Sequence, residues 1–202
     1  MPDFESFQAF EKTEFSVEFE TKLPTLFYFG VVAKRRGIID ILPWIIKLLK
    51  NGKQFHTLII GPVDKADKNL FQTHINNPIL KSNLTYIPWA DVKYLPAYLK
   101  KITIGLAPFQ VNAQHDSGVA NKLFQYMYGK IPILATKCKS QQDLILDSEC
   151  GLLYETYEDF EVQLTQLLES TKLRDTLGNN GKEKLLELYK NKADCQFLKI
   201  YE

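Results

Sequence analysis

The chain has 202 residues, 45% of them hydrophobic and 24% charged, enough to bury the core of one large domain or two small ones. Its 25 basic and 24 acidic residues leave a net charge of +1, which excludes a bulk electrostatic surface for nucleic acid or an anionic membrane; any phosphate site must be local. No apolar run reaches the length of a membrane span, and no signal-peptide pattern opens the sequence.

Residues 1–22 are rich in Phe and Glu without a firm period and read as a linker-like segment with at most a short edge element. Residues 23–202 read as one domain. Pro24–Gly30 is a buried strand closed by a glycine, and Ile41, Leu42, Ile45, Leu48 and Leu49 recur at helical spacing over Ile38–Asn51. Gly52 stops that helix, and Pro43 is expected to kink or restart it. A second strand over His56–Gly61 precedes a polar helix over Asp64–Asn76 and a short strand over Asn83–Ile87. A helix over Asp91–Lys101, split at Pro96, leads to a strand over Ile102–Ala107 and a polar loop over Pro108–Asp116. After the helix that follows come a strand over Ile131–Thr136, a helix over Ser140–Asp147 and a strand over Cys150–Tyr154. Residues 157–191 are helical with an expected break at Gly178 and Gly181. Strands alternating with helices predict an α/β fold: a doubly wound, Rossmann-like parallel sheet with helices on both faces.

Cys138, Cys150 and Cys195 are widely spaced with no C-x-x-C pair, and no metal-ligand cluster is visible. A reducing, cytoplasmic compartment is expected, with or without peripheral contact to a membrane.

The stretch Ser117–Thr136 reads as a loop, a helix capped by Ser117, a stop at Gly129 and a buried strand. Gly118 lets backbone approach a ligand, and free N–H groups at a helix start favour an anion. Ser117, Asn121 and Gln125 share one face with Lys122 beside them, while Val119, Leu123, Tyr126 and Met127 take the face toward the sheet. Taken alone, the segment also fits an ordinary capped amphipathic helix. Lys34, Arg35 and Arg36 follow Gly30 at a strand end, where a doubly wound sheet places its ligands. They read either as a solvated charge run or as phosphate-binding cations.

The phrase Asn121-Lys122-Leu123-Phe124-Gln125-Tyr126-Met127-Tyr128-Gly129-Lys130-Ile131-Pro132-Ile133 resembles the donor-binding signature of retaining, nucleotide-sugar-dependent glycosyltransferases of the GT-B fold, family 4 type. Those enzymes usually read Asn-Lys-Leu-Phe-Glu-Tyr-Met-x-x-Gly-x-Pro-Val. Upstream, Gly30-Val31-Val32-Ala33-Lys34-Arg35-Arg36-Gly37 resembles their Gly-Arg-x-x-x-x-Lys-Gly. The likeness spans residues 24–190. It implies one half of a GT-B fold, the C-terminal domain that binds a nucleotide-diphosphate sugar. A uridine diphosphate sugar ranks first, as the commonest donor of the family, and no other cofactor is implied. The acceptor, a glycan or lipid-linked glycan, would be met by an N-terminal half. The opening Met1-Pro2-Asp3 resembles the family's interdomain linker, so the chain is expected to be a donor-binding part, inactive alone.

Residue by residue, the resemblance sets Arg36 on the pyrophosphate, where leaving-group charge grows as the glycosidic bond breaks. Val31 stands where the family has arginine, leaving Lys34 or Lys122 to substitute. Gln125 replaces the glutamate that binds ribose, keeping an acceptor oxygen but losing charge. Ser117 replaces a glutamate that faces the donor sugar. Gly30, Gly118, Val119 and Asn121 complete the expected contacts. Trp89, after the third strand, has two readings: a residue flanking the base, or a core tryptophan. His115 and Asp116 read as a structural loop contact before an acid–base pair. A non-catalytic nucleotide-binding or scaffold module stays open as the alternative function.

Overall fold

The computed structural model describes residues 4–12, 16–17 and 19–198; the opening Met1-Pro2-Asp3 and the side chain of Cys195 lie outside the described part. Helix α1 (Phe4–Lys12) occupies part of the segment read as linker-like, and Val17 and Phe19 after it are buried in the core. Strand β1 (Thr25–Phe29) follows, then a 3-10 turn over Lys34–Arg36 and helix α2 (Ile38–Lys50). Pro43 lies on the exposed side of α2, which continues through it without a restart. Next come β2 (His56–Ile60), a 3-10 turn over Lys65–Asp67, α3 (Lys68–Ile75), α4 (Pro78–Asn83) and β3 (Leu84–Ile87). The short α4 has no apolar period to announce it. It forms because Pro78 opens it and the Asn77 side chain accepts from the Ile79 N–H at 3.0 Å.

A 3-10 turn over Val92–Tyr94 precedes α5 (Leu95–Leu99), β4 (Ile104–Ala107) and the one-turn α6 (Ala113–Asp116). Pro96 therefore sits in the first turn of α5, where its missing N–H costs nothing, rather than splitting a longer helix. Then follow α7 (Asn121–Tyr128), β5 (Ile133–Thr136), α8 (Lys139–Ser148), β6 (Gly151–Tyr154), α9 (Tyr157–Glu169) and α10 (Thr171–Leu198).

The six strands form one parallel sheet in the order β3-β2-β1-β4-β5-β6. The central strands are buried on both faces and read as near-continuous apolar runs for that reason. Leu26 and Tyr28 point to the layer containing α2 and α9, while Phe27 points to the layer containing α7. The strand order reverses direction at β1, and β1 and β4 pair only through Leu26↔Ile104 and Phe27↔Gly105. Beyond that register they part at their carboxyl ends. The doubly wound fold read from the alternation of elements is the fold observed.

The last helices differ from expectation. The break falls at Ser170, and α10 runs straight through Gly178 and Gly181. These glycines mark close packing: a Cβ on Gly178 would lie 2.1 Å from the Lys130 carbonyl oxygen, and one on Gly181 3.0 Å from the Cys150 Cβ. Helix propensity alone favours alanine over glycine by about 1 kcal/mol. Overpacking costs about 1–3 kcal/mol, so Gly178→Ala is expected to lower the urea midpoint. A raised midpoint would show that α10 does not need this approach to Lys130.

Candidate functional site

The parting of β1 and β4 is held open by one side chain. Tyr126 of α7 lays its ring on β4, possible because residue 105 is glycine: a Cβ there would lie 2.5 Å from the ring. Its buried hydroxyl donates toward the Phe27 carbonyl at 3.1 Å and the Leu106 carbonyl at 3.3 Å, and accepts from the Phe29 N–H at 3.4 Å. The phenol thus satisfies backbone groups that the separating strands cannot pair with each other. Burial pushes its ionisation well above the ordinary tyrosine range.

Above this gap lies a cleft of about 340 Å³ lined by Tyr28 to Val31, Arg36, Phe109, Ala120 to Lys122 and Gln125. Gly30 takes φ +131 at its floor, and Gly37 takes φ +74 after the 3-10 turn. A Cβ on Gly37 would fall 1.4 Å from the Pro108 carbonyl oxygen, so glycine lets the Arg36 turn close against the loop after β4. The Arg36 guanidinium carbon stands 5.9 Å from the Phe109 ring centroid.

Lys122 is only 8% exposed. Its Nζ lies 3.5 Å from the Tyr28 ring centroid and 5.0 Å from that of Phe109, and makes no hydrogen bond among the described residues. Lys122 springs from the helix on one side of the sheet, and Tyr28 belongs to the core on the other. The side chain therefore crosses the sheet end through the opening. Burial, then the charge of Arg36, hold its ammonium well below the ordinary value of 10.5. Burial likewise raises Tyr28, against the pull of Arg36 and Arg35, and its hydroxyl donates to the Val31 carbonyl at 2.7 Å. Among the described residues, no carboxylate lines the cleft.

The expected residues divide. Gly30, Arg36, Asn121, Lys122 and Gln125 meet in the cleft, with Val31 on its wall. Lys34 is exposed and outside it, its backbone N–H donating to Asp67 at 2.7 Å; Arg35 is drawn off to Asp64 at 3.2 Å. Trp89 is 70% exposed after the edge strand β3, which removes the core reading. Ser117 does not cap the helix. It terminates α6, its hydroxyl donating to the Gln114 carbonyl at 2.8 Å, and α7 begins at Asn121 behind Ala120. Ser117 is thus not on the face shared by Asn121 and Gln125, because the loop inserts before the helix turns. Val119 packs on the core, and Gly118 is exposed with open space where a side chain would be.

His115 and Asp116 do not pair. The Asp116 carboxylate accepts from the Lys139 N–H at 2.8 Å and thereby caps α8. His115, 4% exposed, has Nδ1 2.8 Å from the Gln110 carbonyl and 3.2 Å from the Asn112 amide nitrogen. Tyr28 and Phe109, the aromatic walls, gave no signal in the sequence beyond apolar strand and loop positions. Gln141 of α8 gave none either. Its buried amide accepts from Ala120 N–H at 3.1 Å and donates to the carbonyls of His115 at 2.8 Å and Gly118 at 3.1 Å. It fixes the loop that delivers α7, whose first amides have no intrahelical acceptor.

The family model for glycosyl transferases group 1 matches residues 9–184. The chain belongs to this family. An uncharacterized glycosyltransferase of Methanocaldococcus jannaschii is 26% identical over 180 residues, 87% of this chain and 47% of the relative, so the chain spans about half the length of that relative. The C-terminal domain of a glycosyl transferase group 1 family protein from Francisella tularensis superposes with a TM-score of 0.70 at 20% identity, covering 92% of this chain and 91% of that one. HepE of Anabaena, solved in complex with UDP and glucose, gives 0.69 at 11% identity over 87% of this chain and 48% of its own. Among the described residues of this family member, no helix is long and apolar enough to cross a membrane, and no three His, Cys, Asp or Glu side chains gather as metal ligands.

Lys122 carries a stability consequence. A lysine whose folded value lies below its unfolded one destabilises the fold at low pH, and the penalty vanishes as pH rises toward 10.5. Lys122→Met is therefore expected to raise the urea midpoint of the unliganded protein at neutral pH, with the gain shrinking toward pH 10.5. An equal gain at every pH would mean that the methionine acts through packing alone.

Proposed function

We propose that the cleft holds the diphosphate of a nucleotide-sugar donor, with a uridine diphosphate sugar ranked first, and that the chain is the donor-binding part of a retaining glycosyltransferase. One observation carries this reading. Arg36 and Lys122 converge, with no carboxylate of the described residues beside them, at the carboxyl ends of β1 and β4, where the strand order reverses. A guanidinium and a buried basic amine, with no acidic side chain among the described residues of the cleft, call for an anion. Membership of the glycosyl transferases group 1 family supports the choice of anion, as does the UDP bound to HepE.

In this reading the Arg36 guanidinium binds the pyrophosphate and offsets the charge that grows on the leaving group. The first amides of α7 add positive ends of peptide dipoles, and Gln125 accepts from a ribose hydroxyl. The acceptor, a glycan or lipid-linked glycan, enters from a second half that covers the cleft. Relatives about twice as long support that division, as does the need to hold acceptor and donor in a closed, dry site. A second reading, a nucleotide-binding module without transfer, is favoured by Val31 and Gln125, which replace charged residues of the resembling signature.

Titration calorimetry with uridine diphosphate tests the site. Arg36→Ala is expected to cost about 1.5–3 kcal/mol of binding, the range for a charged hydrogen bond. Gln125→Ala is expected to cost about 0.5–1.5 kcal/mol. Folded variants that bind like the parent would move the ligand elsewhere, and a parent that ignores millimolar nucleotide would remove it.

Transfer separates the two readings. The 202-residue chain is expected to leave nucleotide sugars unconsumed, whereas the chain joined to an acceptor-binding half is expected to transfer. Acceptor-dependent turnover by the chain alone would refute the division of labour. A joined protein that binds nucleotide but never turns over would favour the module.

A further inference from the structure

The diphosphate reading leaves the state of Lys122 to be explained. An ammonium has three donors, and this one is buried with none of them satisfied among the described residues. Among the described residues, the groups around it offer no negative charge. From β1 it meets the face of Tyr28, whose hydroxyl is committed to the Val31 carbonyl. From the 3-10 turn comes Arg36, a like charge. The loop after β4 presents Phe109, with His115 against that ring and tied through Nδ1 to Gln110. Its own helix supplies only the neutral Asn121 and Gln125 at the cleft.

We propose that Lys122 rests as the neutral amine over the Tyr28 ring and takes a proton from solvent as a phosphate group enters the cleft. The ring face receives an N–H of either form. An entering phosphate supplies the missing acceptors, brings opposite charge into contact and cancels the repulsion from Arg36. All three effects favour the ammonium. The balance is simple: the Nζ lone pair forms one N–H bond with a solvent proton, and nothing leaves. In the empty cleft, burial and the Arg36 charge act the other way, both favouring the neutral amine. Anion capture and protonation then become one event, and affinity falls as pH rises. The identity of the anion rests on the diphosphate reading; the coupling does not.

The experiment is calorimetric titration with uridine diphosphate and, separately, inorganic pyrophosphate. It is run at about pH 8, above the last ionisation of the nucleotide's phosphates near 6, in two buffers of different ionisation enthalpy; pyrophosphate still holds an ionisable proton there, so its uptake is read as the difference between the parent and Lys122→Met. Burial keeps Tyr28 protonated there, so it does not contribute. About one proton taken up per bound anion is expected, with affinity falling by up to roughly tenfold per pH unit. Lys122→Met is expected to bind about tenfold or more weakly and to take up no proton. Lys122→Arg, permanently charged, is expected to bind without uptake. Binding by the parent without uptake, or undiminished uptake in Lys122→Met, would overturn the proposal. Pyrophosphate bound with uptake while uridine diphosphate is ignored would keep it and sink the nucleotide reading. Silence from both anions would sink both.

Discussion

The separation of β1 from β4 is the constraint on which the site depends. A parallel sheet loses backbone hydrogen bonds wherever two strands part, and an opening lined by bare carbonyls would close or fill with water. Here a tyrosine hydroxyl from the covering helix answers the exposed groups, and Gly105 grants its ring the space to reach them. The pairing of a missing side chain on β4 with a large one on α7 sets the position of the helix. Everything that α7 presents to the cleft inherits that position.

The walls are fixed by equally local means. Gly37 admits the Pro108 carbonyl, which brings the turn bearing Arg36 against the loop bearing Phe109. Gln141 ties the loop before α7 to α8 through three hydrogen bonds from one buried amide. These devices spend conformational freedom during folding rather than during binding, which is the condition for a preorganised electrostatic site. The cost is concentrated in Lys122, whose burial is tolerable only because an aromatic face and a nearby opening accompany it.

Much of the fold was legible in the sequence because the central strands are continuous apolar runs closed by glycines, as at Phe29-Gly30 and Ile60-Gly61. The helix carrying Asn121, Lys122 and Gln125 was legible too, through its polar spacing and the signature it resembles. What escaped was decided by contacts distant in sequence. Ser117 has the chemistry of a cap, but the loop tied down by Gln141 starts the helix four residues later. Gly178 and Gly181 have the propensity of breakers, but α10 uses their bareness to approach Lys130 and Cys150. The burial of Lys122 could not be read from spacing, because a lysine on a polar helical face looks solvated until the sheet beneath it opens.

At the far end of the sheet, Gly52 joins α2 to β2 with φ +88, and nothing lies within 4 Å of where its side chain would be. The cleft sits at the carboxyl ends of the strands, whereas this turn precedes the amino end of β2. The molecule thus has a bare, outward corner a full strand length from its site. Because φ +88 keeps a side chain from Gly52 itself, a tether inserted beside it, rather than a substitution of it, would hold the domain to a surface without entering the path of a ligand.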